Sequence, residues 1–257
     1  MHLYYTHNYR SEKGESHRLL AKAAAVYLYD SDHNDAAFTE AHHAYGSAEN
    51  LISHHDDMYI CDLDERSSCM NDVSLQKYMD RADELVGRMQ RDFPDGNTKQ
   101  SGKPFIPGFA PFSISHSGKT WAVLMLDDPD SVMTCGLDIQ YRRKADAAGI
   151  ASRFFAPEDA ELIAAVTDRD SSDAEFFRIW ARREALIKAI GGSVADTDIP
   201  AVSGDSAEYK GKQYMIRDIE IPDAADAGRE KNGVCPGKNG PRRKNALSAA
   251  ICIECER

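Results

Sequence analysis

Three short runs in this 257-residue chain hold side chains whose types and spacing suit chemistry. The first is Gly136-Leu137-Asp138-Ile139-Gln140. Strand alternation sends Asp138 and Gln140 to one side, and Leu137 and Ile139 into apolar packing on the other. A carboxylate leaving a buried strand for a cleft suits a hard cation such as Mg²⁺, although an Asp at a strand end is also a common cap. The second run is Trp180-Ala181-Arg182-Arg183-Glu184-Ala185-Leu186-Ile187-Lys188. In a helix, Trp180, Glu184 and Lys188 share one face. A solvated Glu–Lys pair would be ordinary, but Trp180 on the same stripe turns it inward, where charges are paired or functional. Glu184 is then a second candidate metal carboxylate, and Lys188 a candidate cation for a phosphate. The third run is Ser115-His116-Ser117-Gly118, just ahead of a strand at Trp121. Small hydroxylated residues and a Gly let backbone approach a ligand, and their N–H and O–H groups suit phosphate oxygens.

Other groups are blander. Cys252 and Cys255 form a C-x-x-C, but on a strand residues three apart face opposite sides, so one ion could not hold both. All six cysteines (Cys61, Cys69, Cys135, Cys235, Cys252 and Cys255) read as reduced thiols. His42-His43 and His54-His55-Asp56-Asp57 invite a metal-hydrolase reading, yet adjacent histidines project apart and lack H-x-x-x-H spacing.

The remainder of the chain must position these runs. With 42% hydrophobic and 28% charged residues, the composition is that of a globular chain rather than a disordered one. Lys and Arg number 31 against 42 Asp and Glu, a net charge of −11, which argues against nucleic acid as the main partner. No run suits a membrane span, and the start Met1-His2-Leu3-Tyr4-Tyr5 lacks the pattern of a secretory signal, so the expected address is cytoplasmic. A strand is expected over 2–9 and a helix over about 16–29. Residues 30–72 read as polar loop with some short helix, and a further helix is expected over about 73–92, ended by Pro94-Asp95-Gly96-Asn97. Trp121–Leu126 and Val132–Ile139 read as a hairpin turning at 127–131. Helices fit about 157–168 and 173–190, the latter closed by Gly191-Gly192. Strands fit about 213–221 and 247–255, joined by a Gly-, Lys- and Arg-rich loop over 223–245.

Taken together, Gly102-Lys103-Pro104, Phe112-Ser113-Ile114-Ser115-His116-Ser117, Gly136-Leu137-Asp138-Ile139-Gln140, Arg153-Phe154-Phe155 and Trp180-x-x-Arg183-Glu184-Ala185-x-x-Lys188 resemble the 4′-phosphopantetheinyl transferases of the Sfp type. Order and spacing match over about 102–192, and Ser16-His17-Arg18-Leu19-Leu20 resembles the family's first helix. The resemblance implies an α+β fold of two pseudo-twofold-related halves, 1–131 and 132–257, each a small antiparallel sheet with packed helices. Coenzyme A would lie between them. It further implies a monomer that moves the 4′-phosphopantetheine arm of coenzyme A onto a serine of an acyl or peptidyl carrier protein, with Mg²⁺. Carried over, Asp138 and Glu184 are Mg²⁺ ligands and catalytic residues, with Gln140 where relatives often have a third acid. Lys188 would meet the pyrophosphate, Ser115, His116 and Arg18 would meet coenzyme A phosphates, and Lys103 would lie along the nucleotide. Arg183 stands where a Lys commonly precedes the helix Glu, and the basic segment ahead of the first helix is reduced to Arg10 and Lys13. The rival reading is a non-catalytic coenzyme A- or nucleotide-binding regulatory module of the same descent.

Overall fold

The structure is a computed structural model that describes residues 1–33, 58–70, 72–92, 102–127, 133–222 and 247–255. The histidine pairs at 42–43 and 54–55, Pro94–Asn97, Cys235 and the 223–245 loop fall outside these residues. In chain order the elements are β1 (His2–Thr6), α1 (Glu15–His33), β2 (Tyr59–Asp62), α2 (Leu63–Cys69), α3 (Asp72–Gly87), β3 (Gln90–Asp92) and β4 (Lys103–Phe105). There follow β5 (Phe112–Ser117), β6 (Thr120–Met125), β7 (Cys135–Tyr141), α4 (Ala147–Phe154), α5 (Pro157–Ala165), α6 (Arg169–Ile190), β8 (Ser206–Tyr209), β9 (Lys212–Asp218) and β10 (Leu247–Glu254). The fold is α+β, and none of the described helices is long and apolar enough to cross a membrane.

Two four-stranded sheets carry the architecture, in the orders β2-β1-β6-β5 and β7-β10-β9-β8, with β3 and β4 forming a separate ribbon. All six residues of β6 are buried, because β6 lies between β1 and β5 and is covered on both faces. One face of its sheet packs on α1, whose Leu20, Ala23, Ala24 and Val26 are buried, and the other joins Leu137, Ile139 and Ile251 of the second sheet. Each such Leu, Ile or Val side chain removed from water contributes about 1.5–3 kcal/mol, and each alanine methyl less. The second sheet's opposite face packs on α6.

Several expectations are corrected. β6 and β7 do not form a hairpin: β6 pairs with β1 and β5, and β7 pairs with β10 in the other sheet. The actual hairpin is β5–β6, so Phe112–Ser117 is itself a strand, turning at Gly118 (φ +57°). Two apolar runs flanking a short polar stretch satisfy the hairpin pattern equally well whether they pair with each other or with distant strands, and only tertiary packing decides. The first strand stops at Thr6, and the helix expected to 92 ends at Gly87, after which the chain turns into β3. The first sheet is not wholly antiparallel, because β2 adds to β1 in parallel. Helix α4 and the short strands β2, β3, β4 and β8 carry too few residues to show a period.

Candidate active site

The site forms where the two sheets meet, along β5 and β7. Helix α6 crosses β7 at Gly136, where a Cβ would stand 1.8 Å from the Ala185 carbonyl oxygen. Only glycine permits this approach, which brings Glu184 and Lys188 over Asp138. The N-terminus of α6 is capped by Asp168, which accepts from the Ser171 amide at 2.9 Å. Its C-terminus closes at Gly191 (φ 68°), with the Gly192 amide reaching the Ile187 carbonyl at 2.9 Å.

Asp138 is 3% exposed. Its Oδ1 accepts from Ser115 Oγ at 2.9 Å and Lys188 Nζ at 2.8 Å, and its Oδ2 accepts from Gln140 Nε2 at 2.9 Å. Gln140 thus lies on the side that strand alternation requires, with its amide nitrogen committed to the carboxylate. Lys188 also donates to the carbonyls of Leu137 (2.9 Å) and Ile114 (3.3 Å), spanning both strands of the seam. Trp180, one turn before Glu184, packs on Phe155 and Phe176. Trp180, Glu184 and Lys188 are each only half-buried, however, so this stripe of α6 opens on the seam rather than turning into the core as its tryptophan suggested. Burial raises the Glu184 pKa above the ordinary carboxylate value, and the Asp138 charge adds to that rise against the opposing pull of Lys188 and Arg183. Two carboxylates that repel each other at a partly desolvated site are a set whose ionised form a divalent cation would stabilise. Among the described residues no three His, Cys, Asp or Glu side chains gather at one point.

The phosphate candidates occupy different settings. The Ser115 hydroxyl is buried and engaged with Asp138 and the Ile139 amide rather than turned outward. His116, the next residue, is exposed and packs at a tilt against Tyr9 with ring centroids 4.9 Å apart. Although the residue is exposed as a whole, partial covering of its ring, and then the Lys188 charge, lower its pKa against the pull of Asp138, which favours the neutral imidazole. Arg18 lies on an exposed rim beside Glu15 (3.4 Å) and lines a cleft of about 560 Å³ with Arg10 and Lys13. Lys103 bridges from β4 to the Cys135 carbonyl at 2.7 Å, and burial lowers its pKa. Arg183 turns away from the carboxylates: it is buried, donates to the Asp196 carbonyl at 2.8 Å, and leaves its Nε without a hydrogen-bond partner. Cys252 is buried within β10, whereas Cys255 lies just past the end of that strand and is exposed.

Two parts of the site are not marked by local sequence. The role of Gly136 depends on a helix far along the chain. The alternation of Ser113, Ser115 and Ser117 is a period-two signal that marks one edge of a strand, but not the strand that edge meets.

Residues 134–214, which include β7 and all of α6, match the sequence model of the 4′-phosphopantetheinyl transferase superfamily. The chain is also similar to individual 4′-phosphopantetheinyl transferases. It is 35% identical over 113 residues to AcpT of Salmonella typhi, covering 42% of this chain and 56% of that one. It is 38% identical over 102 residues to psf-1 of Bacillus pumilus, covering 38% and 40%, and 30% identical over 110 residues to HetI of Nostoc, covering 42% and 44%. The matches thus span about half the length of these curated relatives.

Proposed function

We propose that this protein transfers the 4′-phosphopantetheine arm of coenzyme A to a serine of an apo acyl or peptidyl carrier protein, releasing 3′,5′-adenosine diphosphate. The observation that carries the reading is the convergence of Asp138, Glu184 and Lys188 at the β5–β7 seam, inside the stretch that matches the superfamily. In the reaction the serine oxygen bonds to the β-phosphorus, the bond to the bridging oxygen of the pyrophosphate breaks, and the adenosine diphosphate leaves with that oxygen. Glu184 or a metal-bound water would take the serine proton. Mg²⁺ held by Asp138 and Glu184 would neutralise charge on the pyrophosphate. Asp138 has an oxygen to offer: Oδ1 already accepts two donors but Oδ2 only one. Lys188 supplies fixed positive charge beside the carboxylate, and His116 offers an N–H to a phosphate oxygen. Arg18, with Arg10 and Lys13 on the same cleft at the start of α1, is a further phosphate-binding candidate.

The strand order supports two related halves, 1–131 and 132–257. In each, a first strand (β1 or β7) is followed by helices and then lies antiparallel beside the last strand of a later pair, giving β5-β6-β1 and β9-β10-β7. Coenzyme A would bind between the halves of a cytoplasmic monomer. Incubation with coenzyme A, Mg²⁺ and a panel of apo carrier proteins, read by intact mass, tests the proposal. At least one carrier gains the arm, and Asp138→Ala nearly abolishes the gain while leaving the circular dichroism spectrum intact. A well-folded protein that binds coenzyme A but modifies no carrier would instead be a regulatory module.

A further inference from the structure

The seam between the two sheets is made in an unusual way. Strands β5 and β7 run side by side but belong to different sheets, and the bonds between them come from side chains. Alternate N–H groups of a strand point to opposite edges. The β7 edge facing β5 presents the amides of Leu137, Ile139 and Tyr141. Each donates to a serine hydroxyl of β5: Leu137 to Ser113 (3.0 Å), Ile139 to Ser115 (3.2 Å) and Tyr141 to Ser117 (2.9 Å). The rungs keep a constant offset of 24 residues, so the serines fix register as a backbone ladder would. Ser113 and Ser115 are 4% and 5% exposed, so losing one hydroxyl would strand a buried amide, at a cost of about 1–3 kcal/mol. The middle rung has a second task, because Ser115 Oγ is also the donor to Asp138. The outer rungs therefore decide where that donor, and with it the Asp138 carboxylate, stands. At the far end the ladder is braced by Tyr141, whose hydroxyl lies 3.0 Å from Thr120 Oγ1 and whose ring would stand 3.0 Å from a Cβ at Gly118.

We propose that Ser113 and Ser117 are positioning residues that act through the seam register to hold the Asp138 carboxylate in place. Neither contacts Asp138 in the structure. The inference rests on the functional reading only for what Asp138 does, not for how it is held.

The test uses Ser113→Ala and Ser117→Ala in the full chain, with Ser113→Thr and Ser117→Thr as variants that keep the hydroxyl. Ile163→Ala, a core truncation under α6, serves as a stability-matched control. Amide hydrogen exchange on the protein alone is the first readout. Loss of either outer rung is expected to speed exchange at Ile139, the middle amide whose own acceptor is intact, about tenfold or more. The Ala250 and Cys252 amides on β10 stay at the control's level, and at least one Thr variant restores protection at Ile139. If only the amide directly deprived of its serine exchanges faster, or if the control does the same to Ile139, the inference is overturned. Calorimetry of Mg²⁺ binding with coenzyme A is the second readout, with affinity expected to fall several-fold in the Ala variants and not in the control. Absence of any Mg²⁺ or coenzyme A binding by the unaltered protein would count against the proposed function, while the exchange result would still decide the role of the serines.

Discussion

Glu184 carries a conflict between folding and chemistry. Its burial, and after that the Asp138 charge, disfavour the charged form against the pull of Lys188 and Arg183, yet a metal ligand or base must be charged. With its folded pKa raised above the unfolded value, the native state binds more protons across the window between the two. Stability contributed by the neutral carboxyl is therefore present at low pH and is lost as pH rises through that window. At neutral pH the ionised Glu184 weighs against the fold. Glu184→Gln, which keeps the shape without the charge, is expected to raise the melting temperature at pH 7 while removing nearly all transfer activity. Each kcal/mol relieved corresponds to roughly 2–4 °C in a chain of this size. At a pH below the carboxylate range the two proteins should melt together. A Gln variant that melts lower than the parent at pH 7 would show that the carboxylate stabilises the fold. Transfer by the parent should likewise decline as pH falls through the raised carboxylate range, because protonation removes both a charge for the metal and a proton acceptor.

Elements bring these residues together across long separations in sequence, and the contact of α6 with β7 is the tightest of them. A methyl group at Gly136 would overlap the Ala185 carbonyl, which is helix backbone and cannot swing aside as a side chain would. Gly136→Ala must push α6 off the sheet, and with it Glu184 and Lys188. The expected loss is about 2–4 kcal/mol of stability, above the usual range for one added methyl, together with loss of transfer even where the variant folds. Denaturant unfolding beside a transfer assay checks both, and a variant with parental stability would mean that the helix sits further away. This element also marks how far the sequence could be read. The helical face joining Trp180, Glu184 and Lys188, and the strand side shared by Asp138 and Gln140, followed from local periods of 3.6 and 2, which the structure keeps. The pairing of β6 with β1 and of β7 with β10, the reach of Lys188 to the Ile114 carbonyl and the commitment of the Ser115 hydroxyl to Asp138 are set by residues more than 20 positions apart. No local period encodes those contacts. Arg183 shows the local period at work: one step along a helix is 100° of rotation, so it leaves the stripe of Glu184 and Lys188 and donates to the Asp196 carbonyl instead.

At the scale of the whole molecule the difficulty is charge. A chain at −11 repels the acidic carrier proteins proposed as its partners, so docking requires a local surface of the opposite sign. The segment leaving β7 offers one. Arg143 and Lys144 are exposed directly after the strand that holds Asp138, whereas Arg142 is half-buried and donates to Ser248 Oγ at 3.2 Å. The patch therefore consists of Arg143 and Lys144, narrower than the three-residue run suggests. Five or six residues of extended chain separate it from Asp138, at most about 17–20 Å. A small acidic domain docked there could present its serine to the site. Reversing both charges, Arg143→Glu with Lys144→Glu, is expected to raise the KM for the carrier roughly tenfold at low salt. The KM for coenzyme A and the kcat at saturating carrier should be unchanged. Because exposed charges are screened over about 10 Å at 0.1 M salt and about 3 Å at 1 M, the gap between parent and variant should close as salt is added. A uniform loss of kcat would mean that the substitutions disturb β7 and Asp138 instead of docking. An unchanged carrier KM at low salt would eliminate the patch and leave the acidic partner to be met by some other surface.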